Sequence, residues 1–178
     1  MDFIQFLLAL AISIHFGTSK VIIDPHEEFE KCDNGMPMFS MDLSQLEIMR
    51  REDDSIIADG KVRITKALNA PLKMYYYTKK LERGTWNRGV LSRVVPDFCA
   101  AMKHPWEPWY NLTKDMPSCP FKAGQEIVLD KLLIGKVWET IPPHFLGEWR
   151  FYNEMTTPRG GIPESECKMM EVTVQESP

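Results

Sequence analysis

The chain has 178 residues and a formal net charge of −4, because 25 Asp and Glu residues outnumber 21 Lys and Arg residues. A mildly acidic chain without a long basic run is a poor candidate for nucleic-acid binding, and charge alone would not hold it on an anionic membrane. Its length suits a single domain with a sizeable hydrophobic core.

The first predicted element is an apolar leader. Residues 3–16 are mostly apolar but too few to cross a bilayer as a helix, and the small residues at 17–19 follow them. This order predicts a secretory signal peptide over residues 1–19 and a secreted, extracellular domain over residues 20–178. The alternative is a buried N-terminal helix. No later apolar segment approaches the ~20 residues of a membrane helix, so we expect no integral membrane segment after cleavage.

Four cysteines lie beyond the leader, at Cys32, Cys99, Cys119 and Cys167. On an oxidising secretory path an even number of cysteines normally pairs, which predicts two disulfides and excludes a thiol nucleophile or a thiolate metal site. Four cysteines allow three connectivities, and the sequence alone does not choose among them. The spacing favours a local Cys99–Cys119 pair and an end-to-end Cys32–Cys167 pair.

Alternation of apolar and polar residues marks six predicted strands. They centre on residues 39–43, 62–64, 72–76, 127–129, 149–155 and 170–174. The Asp59-Gly60 pair between two apolar runs predicts a β-hairpin turn. The charged run at 50–54 predicts a solvated hairpin tip, and further turns are expected at 69–71, 83–84 and 160–161.

One segment departs from the strand pattern. Residues 96–103 begin with Pro and Asp, which suit the first turn of a helix, and Pro105 ends it. A tryptophan-rich loop follows at 106–111. The sequence therefore predicts an all-β fold, an antiparallel two-sheet sandwich or cup with one short helix and two disulfides.

That loop also carries a glycosylation sequon. Asn111, Leu112 and Thr113 form the Asn-x-Thr pattern. In a secreted chain this pattern predicts a glycan on Asn111 and places the loop at the surface.

Sequence motifs for catalysis are hard to find. The histidines beyond the leader, His26, His104 and His144, do not have a metal-binding spacing, and no Gly-x-Ser-x-Gly or phosphate-binding glycine loop occurs. We therefore predict that the protein is not an enzyme and needs no metal or cofactor. The alternative is a dyad assembled from distant carboxylates.

Aromatic residues in the predicted loops are better candidates for a functional site. Trp106, Trp109, Tyr110, Trp138 and Phe145 lie close to prolines in segments that usually carry polar side chains. They either plug one end of the sandwich or line the mouth of an apolar pocket. The chain is also rich in methionine, whose flexible thioether adapts to an irregular ligand or fills a core equally well.

The second half of the chain resembles a known family. The Cys-Pro-Phe-Lys-x-Gly motif at 119–124 resembles that of the ganglioside GM2 activator, and the similarity continues through residues 141–150. The upstream Asp97-Phe98-Cys99 also fits, so the motifs span about 70 residues, from Asp97 to Cys167. The chain looks most like the insect chemosensory B proteins, a secreted group related to that activator.

This resemblance implies a GM2-activator-like lipid-binding domain over residues 20–178. It implies a β-cup in which two facing antiparallel sheets hold a lipid, and it implies the pairs Cys32–Cys167 and Cys99–Cys119. For the chemosensory group the implied role is detection of hydrophobic contact cues such as cuticular pheromones, with a sensory receptor or channel as a further partner.

The sequence thus predicts a secreted carrier that binds a hydrophobic small molecule or lipid in an apolar cup. Side chains two apart on a strand point the same way, which gives inward candidates, and the loop aromatics give rim candidates. These are, inward, Leu72, Met74, Tyr76, Leu129, Trp149 and Phe151, and, at the rim, Trp106, Trp109 and Phe145. The alternative is an extracellular interaction protein, a receptor accessory factor whose core is filled by its own side chains.

Overall fold

Two antiparallel sheets make up most of the computed structural model, which describes residues 21–107, 109–136 and 142–176. The strands are β1 (Val21–Lys31), β2 (Met41–Arg50), β3 (Ser55–Ile64), β4 (Lys73–Glu82), β5 (Thr85–Val95), β6 (Glu126–Lys136), β7 (Gly147–Arg159) and β8 (Ile162–Glu176). The larger sheet has the order β1-β8-β7-β4-β5, and the smaller has the order β2-β3-β6. The predicted all-β two-sheet fold is confirmed, and the predicted signal peptide at 1–19 lies outside the described residues.

The six alternating segments fall in β2, β3, β4, β6, β7 and β8. Two further strands, β1 and β5, were not predicted, because their sequences do not alternate cleanly. In β5 the polar residues Asn87, Arg88 and Ser92 interrupt the apolar positions. The turns expected at 83–84 and 160–161 connect β4 to β5 and β7 to β8.

The Asp59-Gly60 pair is not a hairpin turn, so that prediction is wrong. Both residues lie within β3, where Gly60 has a φ of 107° and a Cβ would stand 1.9 Å from the carbonyl oxygen of Gln45. The pairing of β2 with β3 shifts register between Asp42 and Gln45. The glycine therefore serves a strand irregularity at which two backbones approach closely. The true hairpin tip lies at 50–54, as the charge pattern predicts.

Helical structure in the described part of the chain is confined to single turns. The expected segment forms α1 (Phe98–Ala101), whose start is capped by the Asp97 carboxylate accepting a hydrogen bond from the backbone of Cys99. A second turn, α2 (Tyr110–Thr113), lies in the tryptophan-rich loop and was not predicted. A 3₁₀ turn follows at Pro143–Phe145. Within the described residues no helix is long and apolar enough to cross a membrane.

Both disulfides have the connectivity that the family resemblance implies. Cys99 at α1 pairs with Cys119, and Cys32, just beyond β1, pairs with Cys167 of β8. The first closes a loop of 20 residues and the second a loop of 135. Because a cross-link removes more freedom from the unfolded chain when its loop is long, the terminal pair constrains the unfolded state more.

A cluster around Tyr152 packs on the outer face of the larger sheet, and two further clusters of buried apolar residues lie on its inner face. The larger one, called here the closed core, is formed by Ala58, Val62, Ile64, Leu68, Leu72, Met74, Val95, Met102, Phe121, Ile127, Leu129 and Met155. The smaller one, the Trp149 cluster, is formed by Val21, Trp149, Val172 and Val174, with Phe145 and Leu146 packed against it. Both lie on the inner face of the larger sheet but at different heights along its strands.

Candidate functional site: a cavity between the sheets

A stretch of the inner sheet face remains uncovered between the two clusters. On β7 the side chains of Trp149, Phe151, Asn153 and Met155 alternate onto this face. Trp149 and Met155 are 3% and 2% exposed, whereas Phe151 between them is 39% exposed. A large aromatic that points inward yet remains accessible indicates a cavity.

The floor of this cavity is made of two rows that run across the strands, called here the open rows. The apolar row places Phe29 of β1 opposite Met170, Met170 opposite Phe151, and Phe151 opposite Thr78. It ends at Leu91 of β5, whose carbonyl accepts a hydrogen bond from the Thr78 hydroxyl at 3.2 Å. The register of an antiparallel sheet, in which paired residues share a face, produces this row.

The second open row is polar and lies beside the first. Lys168 of β8 pairs with Asn153 of β7, Asn153 pairs with Tyr76 of β4, and Tyr76 pairs with Arg93 of β5. Neighbouring rows on one face are two residues apart along each strand. The apolar row therefore adjoins a polar row that carries two cations, and both rows lie within one cavity.

The roof comes from the start of the smaller sheet. Met38, Met41 and Leu43 face the open rows across a partly open cavity of about 370 Å³, called here the main cavity because the open rows line it. A larger side cavity of about 620 Å³ shares these three residues together with Phe29 and Lys168. Both volumes fall in the ~300–1,000 Å³ range of small-molecule pockets. Methionine on the roof and floor suits a ligand of irregular apolar shape.

A buried ionic network holds the roof in place. The Glu166 carboxylate, 1% exposed, accepts hydrogen bonds from the backbone N–H groups of Phe39 at 3.1 Å and Ser40 at 2.8 Å. The Ser40 hydroxyl and the Arg159 guanidinium also donate to it. Because Phe39 and Ser40 connect Met38 to Met41, this network fixes the roof segment to β8.

Aromatic rings pack behind Tyr76 at the β5 side of the cavity. The ring of Tyr76 lies 5.6 Å from that of Trp109, which in turn lies 5.7 Å from Phe98 of α1. The Arg93 guanidinium lies over Trp109 and pairs with Glu107 at 2.7 Å. Burial raises the pKa of the Tyr76 phenol well above its usual range, although the charge of Arg93 opposes this, so the phenol presents a neutral surface.

Lys168 lies where the two cavities meet. Its ammonium donates to the carbonyl oxygen of Phe29 at 3.4 Å. Hydrogen bonds from Ser44 lower the pKa of the nearby Asp42 carboxyl, and the charges of Arg63 and Lys168 add to this effect. Asp42 therefore lies within electrostatic reach of Lys168, on the side-cavity side.

The structure brings together only part of the predicted binding set. Tyr76 and Phe151 line the main cavity, and Trp109 stacks on Tyr76. Leu72, Met74 and Leu129 lie in the closed core instead.

The remaining predicted binding residues lie away from the main cavity's lining. Trp149 is buried in its own cluster, where its indole N–H donates to the Phe145 carbonyl at 2.6 Å. Phe145 packs on that indole, so the pair serves packing at that end of the sandwich. Trp106 is 88% exposed and does not line the cavity.

Several lining residues have no place in the predicted set. Phe29 belongs to an unpredicted strand, and Lys168 is a charged residue in a strand expected to pack through its apolar positions. The inward orientation of Lys168 could have been predicted from the sequence, because Lys168 shares the alternation phase of Met170 and Val172. Asn111, the predicted glycosylation site, is exposed on α2.

Two sequence comparisons, with protein-family models and with curated proteins, found no match. The sequence matches no protein-family model, and no curated protein is similar enough to it to count as a match. Among the described residues no group of three or more His, Cys, Asp or Glu side chains could hold a metal ion. The geometry of the cavity therefore carries the functional argument.

Proposed function

We propose that the protein is a secreted carrier that binds a hydrophobic ligand, a lipid or a cuticular pheromone, between its two sheets. The observation that carries the proposal is the exposed Phe151 on the inner face, at the centre of an apolar row. In a sandwich filled by its own side chains this position would be covered. The two disulfides suit an extracellular protein.

Desolvation supplies the binding free energy. Each methylene transferred from water into the cavity contributes roughly 0.8 kcal/mol, before the cost of ordering the ligand is subtracted. A long hydrocarbon chain therefore binds without any covalent chemistry. The resemblance to the chemosensory group supports a role in pheromone detection, in which the carrier would deliver its ligand to a sensory receptor or channel.

Uptake of a fluorescent fatty acid tests the proposal. Phe151→Ala removes the central contact of the apolar row, and we expect its dissociation constant to rise at least about fivefold, equivalent to about 1 kcal/mol. The matched control is Val128→Ala, which truncates an exposed side chain of β6 that does not line the cavity. The control should bind like the wild type.

Mass spectrometry of lipids that copurify from an insect secretory host identifies the natural ligand class.

In the uptake experiment, fluorescent fatty acid uptake that is absent in the wild type, or identical in the wild type and Phe151→Ala, would contradict the carrier proposal. That result would support the receptor-accessory alternative.

A further inference from the structure

We propose that the ligand is an amphiphile with one anionic head group, that Lys168 binds this head, and that the apolar chain lies along the row from Phe29 to Leu91. This inference rests on the carrier function proposed above and names the class of its ligand. A hydrocarbon without a charged head would leave the polar open row without a role.

The first argument is that Lys168 lacks an ion-pair partner in the part of the chain that the structure describes. Among the described residues no carboxylate oxygen lies within 4.0 Å of its ammonium, which contacts the Phe29 carbonyl at 3.4 Å. Other cations near this part of the sheet are paired. Arg93 contacts Glu107 at 2.7 Å, and Lys79 on the opposite face contacts Asp33 at 2.6 Å.

The second argument is the sign of the charge around the cavity. The described lining of the main cavity contains two cations, Arg93 and Lys168, and no carboxylate. The side cavity adds Glu28 and Asp42, and neither carboxylate lies within 4.0 Å of the Lys168 ammonium. A partly desolvated cation without a partner is costly, and an anion brought by the ligand removes that cost.

The third argument is Asn153, the register partner of Lys168 on β7. Its side-chain oxygen is buried and has no hydrogen-bond partner among the described residues. Buried acceptors are nearly always satisfied, so an orphan acceptor beside a cavity indicates a donor supplied by the ligand. A head that carries a hydroxyl next to its anionic group would satisfy Lys168 and Asn153 together.

The length of the apolar row sets the length of the apolar chain that the cavity can hold. It crosses five strands, and neighbouring strands lie about 4.8 Å apart, so the row extends about 19 Å from Phe29 to Leu91. Met170 and Phe151 lie along it, and Lys168 is two residues from Met170 on the same strand. The head site therefore lies beside the β1–β8 end of the row, where the Lys168 ammonium contacts the Phe29 carbonyl, and the apolar chain extends from there to Leu91 of β5.

The experiment compares ligands that share one tail and differ in the head. Delipidated wild-type protein is titrated with oleate, oleyl alcohol and 2-hydroxyoleate in competition with the neutral fluorophore N-phenyl-1-naphthylamine. We expect oleate to bind about tenfold more tightly than oleyl alcohol, because a hydrogen bond to a charged group typically contributes that much. The 2-hydroxy acid should bind more tightly than oleate, and Asn153→Leu should abolish that gain.

Lys168→Met should remove the preference for oleate while leaving the affinity for oleyl alcohol within about twofold. Lys122→Met, which makes the same change at an exposed lysine that does not line the cavity, should keep the preference. If Lys168→Met is poorly folded by its melting temperature, Lys168→Gln is measured in its place.

The outcomes separate the two proposals. Equal affinity of the wild type for oleate and oleyl alcohol, or an unchanged preference in the Lys168 variant, overturns the anionic-head assignment while the carrier function stands. If neither compound displaces the fluorophore, both proposals fail.

Discussion

Two neighbouring parts of one sheet face differ in what covers them. Met155 and Phe151 lie four residues apart on β7 and point to the same side, yet Met155 is 2% exposed and Phe151 is 39% exposed. Met155 packs with Ile64 of β3 and Leu129 of β6 in the closed core. Above Phe151 the cover is reduced to the first residues of β2 and the segment before them.

The difference lies along the strands, since both residues belong to β7. Residues of β3 and β6 cover the face at Met155, whereas Met38, Met41 and Leu43, from the start of β2 and the segment before it, face Phe151 across the cavity. The pairing of the chain into two sheets therefore produces the cavity, while the side chains of the open rows decide what it accepts.

The largest expected effect concerns the network that closes the roof. Glu166→Ala removes the buried carboxylate that accepts hydrogen bonds from Arg159 Nη2 and from the backbone N–H groups of Phe39 and Ser40. Removing one partner of a buried ionic network typically costs about 3–5 kcal/mol of unfolding free energy. Urea denaturation followed by tryptophan fluorescence measures it.

The matched control for this network is Glu164→Ala. Glu164 contacts the same Arg159 at 2.6 Å but its side chain is 41% exposed, so its loss should cost under about 1 kcal/mol. Equal losses in the two variants would mean that the roof is not held by the buried carboxylate.

The next effect compares the closed core with the open rows directly. Met155→Ala should lower the unfolding free energy by about 2–5 kcal/mol, because it leaves a hole in a packed cluster. Phe151→Ala removes a larger side chain but should cost less, since much of its ring already contacts solvent. Thermal or urea unfolding of the two variants distinguishes them, and a greater loss for Phe151→Ala would show that the open rows are packed.

Much of the fold could be predicted because its signals are local. Alternation identified six of the eight described strands, and the Asp97 cap agrees with the predicted helix at 96–103. The missed strand β5 carries exposed polar residues on an edge, where alternation is not required. Asp59-Gly60 misled because the same dipeptide that suits a hairpin turn also suits a strand irregularity with positive φ.

The candidate site could be predicted only in part, since its position depends on long-range pairing. Alternation correctly placed Tyr76 and Phe151 on the inner face. Alternation could not distinguish these two residues from Met74, which lies two residues from Tyr76 on the same face. Which inward residues the second sheet covers depends on contacts between segments distant in sequence. Lys168 was overlooked since a lysine in an inward phase is unusual unless a partner or ligand balances its charge.

The smallest expected effect on stability comes from filling space instead of removing atoms. Leu91→Phe adds volume to a residue that is 40% exposed and lines the main cavity, so the free energy of unfolding should change by no more than about 0.5 kcal/mol. Ala58→Val adds fewer atoms to the closed core, where the alanine is 1% exposed, and should cost about 1–3 kcal/mol through overpacking.

The effects of Leu91→Phe and Ala58→Val on ligand uptake should have the opposite order to their effects on stability. The added ring of Leu91→Phe narrows the tail end of the cavity, so uptake of a fluorescent fatty acid should weaken, whereas Ala58→Val should bind normally at temperatures where it remains folded. The two variants thus assign stability to one region of the face and binding to the other. A Leu91→Phe variant that melts early and binds normally would place Leu91 in a packed core, and the division of the face into closed and open regions would fail.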